Sequence, residues 1–599
     1  MRKKSTIFAF LLALLAGCSG GPAYKDASLP TEKRVSDLIS RMTLEEKVRQ
    51  LDLYAGKEVL LNTSTMDTAR LAAIMGDLGM GGIHDFYPTD AGVANQLQRY
   101  AVEKTRLGIP VIITAEALHG YLGKGSTSFP VPLALASSWD TTLIRQVGRV
   151  IATEMRAHGP NFALCPNLDL AREPRWGRVE ETYGEDTYLS SRLGVNMVKG
   201  LQGENLSDSN AVVSEPKHFG VHSIPESGSN WSPVSIGERE ARSAFLYVFE
   251  KAVTEGKARG IMAAYHEMDG IPCTANKWLL SEVLRDEWGF DGMVLSDLGA
   301  IRMQHTFHCI AKDVPEASAN AIKAGLDMQF YDFTHEEFQQ GLIEAVKRGD
   351  LSEKDIDKAV AHVLGVKFDL GLFENPYIDP ALAAKVQRCP AHNEISKQAS
   401  LESIVLLKNE NNTLPLSKDI RSIALIGPLA NRSALGGYTT VDAKAITVYE
   451  ALKAKFGNKV KITLAGEEVK SGLFDIPATC MTPSNGARMN GLYAEYYNNQ
   501  NWEGEPVYSA VETNLAQFWN NVPPVPEITT DRFSIRWTGT ITPQESGLYE
   551  FNFVPDDFGS FSIDGEVIMD DLAPELYNHV ERTAVKYLKK GVAYPVEMK

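Results

Sequence analysis

The chain has 599 residues, of which 44% are hydrophobic and 23% charged, and it carries a formal net charge of -16. This composition is typical of a globular protein, and the length predicts two to four domains with sizeable cores. The negative charge and the lack of a long basic run argue against nucleic acid as a partner and leave a neutral or cationic small substrate open.

Residues 1–22 have the pattern of an export signal. Three basic residues, Arg2 to Lys4, precede an apolar run from Ile7 to Ala16 that is too short for a comfortable membrane span. The run closes on Leu15-Ala16-Gly17-Cys18, which resembles a bacterial lipobox; an ordinary signal peptide with an incidental cysteine is the alternative. We therefore predict an exported, membrane-anchored lipoprotein, periplasmic or at the cell surface, which meets the membrane only through acyl chains on Cys18.

The other five cysteines indicate neither a metal site nor a disulfide scaffold. They form no CxxC pair, and an odd number cannot all pair with one another. One disulfide is possible in an oxidising periplasm.

Residues 29–373 are predicted to form a (β/α)8-type TIM barrel. Short apolar runs typical of strands alternate there with helical patterns at the spacing of repeated βα units. The predicted strands are Val111–Ala115, Phe162–Leu164, Val212–Ser214, Ile261–Ala264, Met293–Leu295 and Leu326–Gln329. The helices predicted between them are Asp186–Leu201, Gly237–Thr254 and Leu279–Trp288.

Five successive predicted strands are each followed by ionisable or hydrogen-bonding side chains. These are Glu116 and His119, then Asp169, Arg172, Arg175 and Arg178, then Lys217 and His218, then Tyr265, and finally Asp297. Any one of them alone is more often a cap, a turn residue or a satisfied ion pair than a catalytic group. Because parallel strands end at one mouth of a barrel, we expect the set to line a single pocket suited to a polyhydroxylated ligand.

Several segments resemble the signature blocks of glycoside hydrolase family 3 in order and spacing. They are AEALHG, SFPVPLALASSWD, NLDLAREPRWGRVEETYGED, KHF, AAYHEMDGIPCTAN and GMVLSDLGA. The resemblance runs from about Leu38 to Gly437. It implies that Asp297 is the catalytic nucleophile, which attacks the anomeric carbon of the sugar.

The same resemblance implies roles for five further residues. Cations near Asp297 are expected to keep its carboxylate ionised at neutral pH, as a nucleophile requires. The residues that match substrate-binding positions are Arg178, Lys217 and His218, which grip sugar hydroxyls, Glu116, an acidic hydroxyl clamp, and Tyr265, the aromatic beside the nucleophile.

Two departures from the family pattern affect specificity. Leu298 stands where the family commonly has Trp after the nucleophile, so one wall of the sugar site is expected to be built differently. Glu116 stands where many glucosidases of the family have Asp, and it resembles the xylosidase and arabinofuranosidase branch. The longer acid is expected to occupy the space of a hydroxymethyl group and so to favour pentoses.

The rest of the chain is predicted to contain a linker and two further folds. Residues 374–397, which include three prolines, have the pattern of a linker, and residues 398–486 that of the first part of an α/β sandwich domain. The strands expected in this domain are Ile404–Leu407, Ile423–Ile426 and Val460–Leu464, around a helix near Thr447–Phe456.

Residues 487–599 alternate aromatic and polar residues as β-strands do. The run WTGTITPQESGLYEFNFVPDDFGSFSIDGEVI resembles the protective-antigen-like β domain, a carbohydrate-associated module inserted into the second domain of some enzymes of this family. Its adjacent carboxylates, Asp556 and Asp557, are interpreted as part of a solvated loop in preference to a cation or sugar ligand.

A retaining glycosidase also needs a second carboxyl group, ~5 to 5.5 Å from the nucleophile. In the resembling enzymes with this inserted module, that Glu lies after the module, so we expect it beyond Lys599 and expect the sequence to be a fragment of a longer protein. Glu226, Glu467 and Glu468 are the nearest substitutes, and none of them matches a motif.

The resemblance therefore implies an exo-acting retaining β-glycosidase that removes terminal β-D-xylosyl or β-D-glucosyl residues from plant-type oligosaccharides. It works by double displacement and needs no metal or organic cofactor. Two alternatives stay open. One is a β-N-acetylhexosaminidase of the same family with His222 as its proton-transfer residue, and the other is a lipoprotein that binds glycans without cleaving them.

Overall fold

The computed structural model describes residues 21–62, 65–87, 91–440, 442–443, 445–465, 475–515, 517, 523–529, 532–553, 555, 558–571 and 582–599. The chain divides into two compact units, one of Met1–Thr413 with Leu435–Ala445 and the other of Leu414–Ala434 with Ile446–Lys599. No helix in the described ranges is long and apolar enough to cross a membrane. Cys18 lies outside these ranges, so its lipidation stays a prediction.

In its described part, the first unit contains a closed ring of eight parallel strands. They are β1 (Asp52–Ala55), β2 (Gly82–His84), β3 (Ile112–Ala115), β4 (Phe162–Ala163), β5 (Val213–Ser214), β6 (Gly260–Ala263), β7 (Met293–Ser296) and β8 (Gln329–Phe330). Ladders join β8 to β1, β1 through β5 in order, and β6 to β7. The parallel bridges Phe219 to Ala263 and Leu295 to Met328 close the ring, so the predicted barrel is confirmed.

Helical segments follow each strand along the chain. In this unit the α-helices are Thr31–Ile39, Leu44–Gln50, Thr68–Met75, Ala91–Lys104, Pro132–Ala136, Thr141–His158, Thr187–Gln202, Glu238–Glu240, Leu246–Thr254, Ala300–Thr306, Val314–Ala324, His335–Arg348, Glu353–Asp369, Leu382–Val386 and Pro390–Glu402. The segments Ala241–Phe245 and Trp278–Glu287 are π-helical. Two short antiparallel hairpins, Leu60–Asn62 with Thr65–Met66 and Glu267–Met268 with Ile271–Pro272, decorate the loops.

Local sequence explains where these elements begin and which faces they bury. Asp140 and Asp186 each accept a hydrogen bond from a backbone N–H of the first helical turn that follows, which is the usual N-cap arrangement. The strand residues Leu53, Ile112 and Leu295 are fully buried, as expected of parallel strands covered on both faces.

The structure corrects the sequence prediction in two ways: it contains two strands that were missed and lacks one that was predicted. Strands β1 and β2 were not predicted, because each is short and carries a polar residue, Asp52 in one and His84 in the other. The predicted strand Ile404–Leu407 is wrong: these residues follow the helix Pro390–Glu402 as irregular chain, and Leu407 is 92% exposed.

The second unit contains an α/β part and an all-β part. The parallel strands Ser422–Ile426 and Lys461–Ala465 pair with each other, and the helix Val448–Phe456 lies between them in the chain. The β part has the strands Met481–Pro483, Leu492–Tyr497, Tyr508–Glu512, Ser534–Ile541, Gly547–Phe553, Gly559–Ile563, Glu566–Asp571, Arg582–Leu588 and Tyr594–Met598. Buried Tyr496, Trp537 and Ile563 belong to its core, so the predicted fold class holds here as well.

Candidate active site

A cavity of about 500 Å³ lies at the carboxyl ends of the barrel strands. Several residues of its lining come directly after a strand, as Glu116 does after β3 and Asp297 after β7. The structure brings all six residues of the predicted sugar site into this one cavity: Glu116, Arg178, Lys217, His218, Tyr265 and Asp297. The expectation that the strand ends share a pocket is therefore met for these residues.

Asp297 presents one free carboxylate oxygen. Its Oδ1 accepts a hydrogen bond from the Leu298 N–H at 2.7 Å, whereas its Oδ2 accepts none and lies 3.7 Å from Nε2 of His218. Burial raises the pKa of Asp297 to about 6, against the opposing effect of the Arg178 and Lys217 cations. Burial therefore raises the pKa of Asp297 and the cations limit this rise. At pH 7, Asp297 is mainly ionised.

A buried carboxylate behind the cavity, Asp332, anchors the turn that contains Asp297. Its Oδ2 accepts hydrogen bonds from the Ser296 hydroxyl at 2.6 Å and from the Phe330 N–H at 3.0 Å. Its other oxygen accepts from the N–H of Ile301, in the first turn of the helix that follows. Because Ser296 directly precedes Asp297, the contacts of Asp332 hold both sides of the turn that carries Asp297.

Lys217 and Glu116 form a buried ion pair at the cavity wall. Nζ of Lys217 donates to both carboxylate oxygens of Glu116, at 2.9 and 3.1 Å. Burial favours the neutral amine, but Glu116 and then Tyr438 raise the pKa of Lys217 above its usual range. The Tyr438 ring lies 5.3 Å from the same nitrogen. Lys217 is therefore a charged donor with a fixed position.

Arg178 organises the neighbouring part of the cavity wall through a network of hydrogen bonds. It donates to both oxygens of Glu181 at 2.8 and 2.9 Å and to the Tyr265 hydroxyl at 3.0 Å. Its Nη2 also lies 3.0 Å from Nε2 of His218, which must accept because a guanidinium only donates. The His218 proton is then on Nδ1, which donates to Asp169 at 2.7 Å. Burial and then Arg178 lower the pKa of His218 well below its usual range, so the ring is neutral.

The other residues predicted at strand ends do not line the cavity. Asp169 acts through His218, as described above. His119 is buried, with Nε2 2.7 Å from the Gly437 carbonyl. Arg172 donates to the Glu185 carbonyl at 3.3 Å, and Arg175 pairs with an adjacent glutamate at the surface.

The alternative acid–base candidates also lie outside the cavity lining. Glu226 is exposed in the short turn Glu226–Gly228. His222 is buried, its ring is 4.9 Å from that of His218, and its Nδ1 is 3.2 Å from Nδ1 of His266. Burial and then His266 lower the pKa of His222 well below its usual range. Glu467, Glu468, Asp556 and Asp557 lie outside the described residues.

Sequence reasoning missed part of the cavity lining. The missed residues include His84 at the end of β2 and Asp85 after it, Asn230 and Trp231 after β5, Phe330 and Tyr331 at β8, and Tyr438. Asp85 and His84 would have followed from recognising β2, whereas Tyr438 carries no local signal because it lies far along the chain from the strands. In the described ranges, no group of three or more His, Cys, Asp or Glu side chains is arranged to hold a metal ion.

The wall beside Asp297 combines Leu298 with an aromatic ring from the loop after β5. Leu298 lines the cavity and is 54% exposed. Trp231 also lines it, with its ring 6.5 Å from that of Tyr265 at an interplanar angle of 85°. Asn230 donates to the Tyr265 hydroxyl and accepts from the indole of Trp176 at 2.6 Å, which fixes this loop.

A closed (β/α)8 barrel whose charged and aromatic side chains converge at the carboxyl ends of its strands defines a barrel protein with a polar, sugar-sized pocket. Residues 43–366 match the family described as Glycosyl hydrolase family 3 N terminal domain, and residues 488–599 match the PA14 domain. The chain therefore belongs to glycoside hydrolase family 3 and contains a PA14 module, which confirms both resemblances.

Relatives and solved structures agree with this membership. The chain is 37% identical to a putative beta-xylosidase of Formosa agariphila, over 71% of this chain and 57% of the relative. It is 35% identical to a periplasmic beta-glucosidase of Salmonella typhimurium, over 72% and 55%. A solved β-glucosidase from Erythrobacter marinus is 33% identical with a TM-score of 0.69, over 74% and 60%. The chain thus spans less than two thirds of each of these proteins.

Proposed function

We propose that the protein is a retaining exo-β-glycosidase that hydrolyses terminal β-D-xylosyl or β-D-glucosyl residues of plant-type oligosaccharides. One observation carries the proposal: Oδ2 of Asp297 is buried, accepts no hydrogen bond and belongs to a cavity that also contains the hydrogen-bonded side chains of Arg178 and Lys217. Relatives named beta-xylosidase and beta-glucosidase support the substrate class.

The first chemical step is attack by Oδ2 of Asp297 on the anomeric carbon. A C1–O bond to the carboxylate forms while the bond to the leaving oxygen breaks, and the leaving group departs with the electron pair. Lys217 and Arg178 donate to sugar hydroxyls, and their ion pairs with carboxylates keep them in place without neutralising Asp297. Water then attacks the glycosyl ester and releases the sugar with its original anomeric configuration.

A fluorinated sugar with an activated leaving group tests this step directly. Dinitrophenolate departs without protonation, so 2,4-dinitrophenyl 2-deoxy-2-fluoro-β-xyloside reports on Asp297 without the acid catalyst that natural substrates need. We expect stoichiometric release of dinitrophenolate and one sugar mass on the peptide that contains Asp297. The matched Asp297→Asn variant should gain no mass.

The same experiment separates catalysis from glycan binding. If calorimetry shows that the wild-type chain binds xylo-oligosaccharides while the fluorosugar leaves no adduct, the protein is a glycan-binding member of the family and the proposed reaction is wrong.

We further propose a preference for pentoses over hexoses. Glu116 supports it, because both of its oxygens are held by Lys217 and the longer side chain cannot turn away from a hydroxymethyl group. We expect the fluoroxyloside to label Asp297 at least about tenfold faster than the fluoroglucoside. Comparable rates for the two sugars would contradict the steric argument.

We also propose export and lipid anchoring at Cys18. The basic residues, the short apolar run and the Leu-Ala-Gly-Cys sequence support this location. Expression with radiolabelled palmitate should label the membrane fraction of the wild-type protein, and the Cys18→Ser variant should remain unlabelled. A soluble, unlabelled wild-type protein would contradict the proposal.

A further inference from the structure

The cavity contains a carboxylate, Asp85, that the reaction described above does not use. Of the other charged residues in the lining, Glu116 is paired with Lys217, and Arg178 with Glu181. The two cations of the lining are therefore committed elsewhere. Asp85 and Asp297 are the carboxylates of the lining with which neither cation forms an ion pair.

The backbone at Asp85 is held in an unusual conformation. Its φ is +51°, in the left-handed region that few residues other than Gly, Asn and Asp adopt readily. Gly56 makes this possible, because a Cβ at position 56 would lie 2.2 Å from the Asp85 carbonyl oxygen. Non-glycine residues in this region cost free energy and cluster at functional sites. A side chain at position 56 would therefore displace the backbone of Asp85.

The surroundings of Asp85 form an aromatic end of the cavity. Nε2 of His84 lies 3.3 Å from Oδ1 of Asp85, and Nδ1 of His84 is 2.8 Å from the Thr114 hydroxyl. The His84 ring packs edge-on against Phe330 at 4.7 Å and lies 6.2 Å from Tyr331. This end of the cavity is therefore rigid.

Asp85 lies on the same side of the cavity as Glu116. The hydroxyl of Tyr87 accepts from the Glu116 N–H at 3.2 Å. Burial, then Asp85, then Glu116 raise the pKa of Tyr87 well above its usual range, so both carboxylates are near the phenol. Their strands, β2 and β3, are neighbours, and β3 is diametrically opposite β7, which carries Asp297, in the eight-stranded ring.

We propose that Asp85 is a second glycone-binding carboxylate, which accepts a hydrogen bond from the C4 hydroxyl of the terminal sugar. The inference rests on the proposed function, with C1 held at Asp297. In a pyranose ring C4 is opposite C1, and Asp85 follows a strand nearly opposite that of the nucleophile. Lys217 already takes one acceptor position on each oxygen of Glu116, so Asp85, which pairs with neither cation, adds acceptor capacity for a C4 hydroxyl.

The test combines variants of Asp85 with a probe that lacks the C4 hydroxyl. Asp85→Asn and Asp85→Gly are suitable because both residues tolerate the positive φ, whereas Ala would add strain. The labelling rate of Asp297 is measured with 2,4-dinitrophenyl 2-deoxy-2-fluoro-β-xyloside and with its 4-deoxy analogue. Asp286→Asn, an exposed aspartate on the helical segment Trp278–Glu287, is the matched control.

With the complete probe, we expect Asp297 to be labelled roughly 10- to 150-fold more slowly in Asp85→Gly than in wild type. This is the loss expected when a hydrogen bond to a charged group is removed. Asp85→Asn should be intermediate, and the control should match wild type. With the 4-deoxy probe, wild type and Asp85→Gly should label at equal rates.

Two results would overturn the inference while leaving the proposed function intact. One is wild-type labelling rates in both Asp85 variants. The other is an equal loss with both probes, which would indicate a structural effect that does not involve the C4 hydroxyl. If wild-type Asp297 is labelled by neither probe, the proposed function itself is wrong and the role of Asp85 falls with it.

Discussion

The pKa of about 6 for Asp297 predicts a specific pH dependence for its reaction. Only the carboxylate attacks, so the second-order labelling rate with a dinitrophenyl fluoroxyloside should follow the ionised fraction in the free enzyme. With a pKa of about 6, this fraction is about 0.9 at pH 7 and about 0.1 at pH 5. The rate should therefore fall about tenfold between these pH values. An ordinary aspartate, with a pKa of about 3.9, would lose only about a tenth of its rate.

The assay follows dinitrophenolate release and adduct mass from pH 4.5 to 8, with circular dichroism at each pH to confirm that the protein stays folded. Because this leaving group needs no proton, the fall in labelling rate towards low pH, the acid limb of the pH profile, reports on the ionisation of Asp297 alone. A rate that does not change between pH 5 and pH 7 would refute the argument that burial outweighs the cations at Asp297.

A substitution at Glu116 tests the sign of the electrostatic reasoning. Glu116 raises the pKa of Asp297, and its pairing with Lys217 partly offsets the effect of that cation. In Glu116→Gln both effects favour the carboxylate, so the acid limb should move below pH 6. This shift can be measured even when the variant is labelled slowly, because it concerns the pH at which the rate is half-maximal and not the maximal rate.

Three further predictions concern buried ionisable groups. Asp332→Asn replaces an acceptor by a donor behind the nucleophile, so labelling should slow about tenfold or more and Tm should fall by a few degrees; unchanged values would contradict its anchoring role. Burial opposes protonation of His335, but hydrogen bonds to Asp52 and Glu58 raise its pKa to about 10. This contribution to stability is lost as pH rises from about 6.5 to 10, so the wild-type Tm should decline over that range and the Tm of His335→Gln should lack the decline. Burial lowers the pKa of Lys367 well below its usual range, so the wild-type Tm should rise towards pH 10, and Lys367→Met should lack this rise.

The strands of the barrel that the sequence predicts well share one property. Met293–Leu295 is a compact apolar run followed at once by polar residues, and the structure extends it only to Ser296 as β7. Such a run indicates both a buried strand and the position of its carboxyl end, where side chains of the pocket begin. Asp297 could therefore be identified from sequence as a pocket residue, because the strand and the loop both have local signals.

The residues that sequence reasoning missed depend on non-local packing. Strand β2 contains only three residues, one of them His84, and its pairing with β1 and β3 provides the stability that its sequence lacks. Without β2 there was no reason to place Asp85 in the pocket. The conformation of Asp85 also depends on Gly56, and no sequence pattern links these two positions.

The error at Ile404–Leu407 has a different cause. Four consecutive apolar residues indicate a segment that gains from burial, but they do not by themselves create the ladder partner that a strand requires. In the structure these residues are exposed and irregular. The preceding helix Pro390–Glu402 extends through what was predicted to be the end of the linker, since its proline lies at the first helical position, where a missing N–H costs nothing.

The pattern of charge in the pocket explains how Asp297 stays reactive among cations. A cation free to move would pair with Oδ2 of Asp297 and compete with attack on the sugar. Glu116 and Glu181 prevent this by holding Lys217 and Arg178, each through two hydrogen bonds. His218, 3.7 Å from Oδ2, is kept neutral by burial and by the hydrogen bond from Arg178, so it does not form an ion pair with Asp297. The carboxylates that hold the cations therefore act on Asp297 without touching it, and its pKa of about 6 is the balance of burial, which raises it, and of Arg178 and Lys217, which lower it.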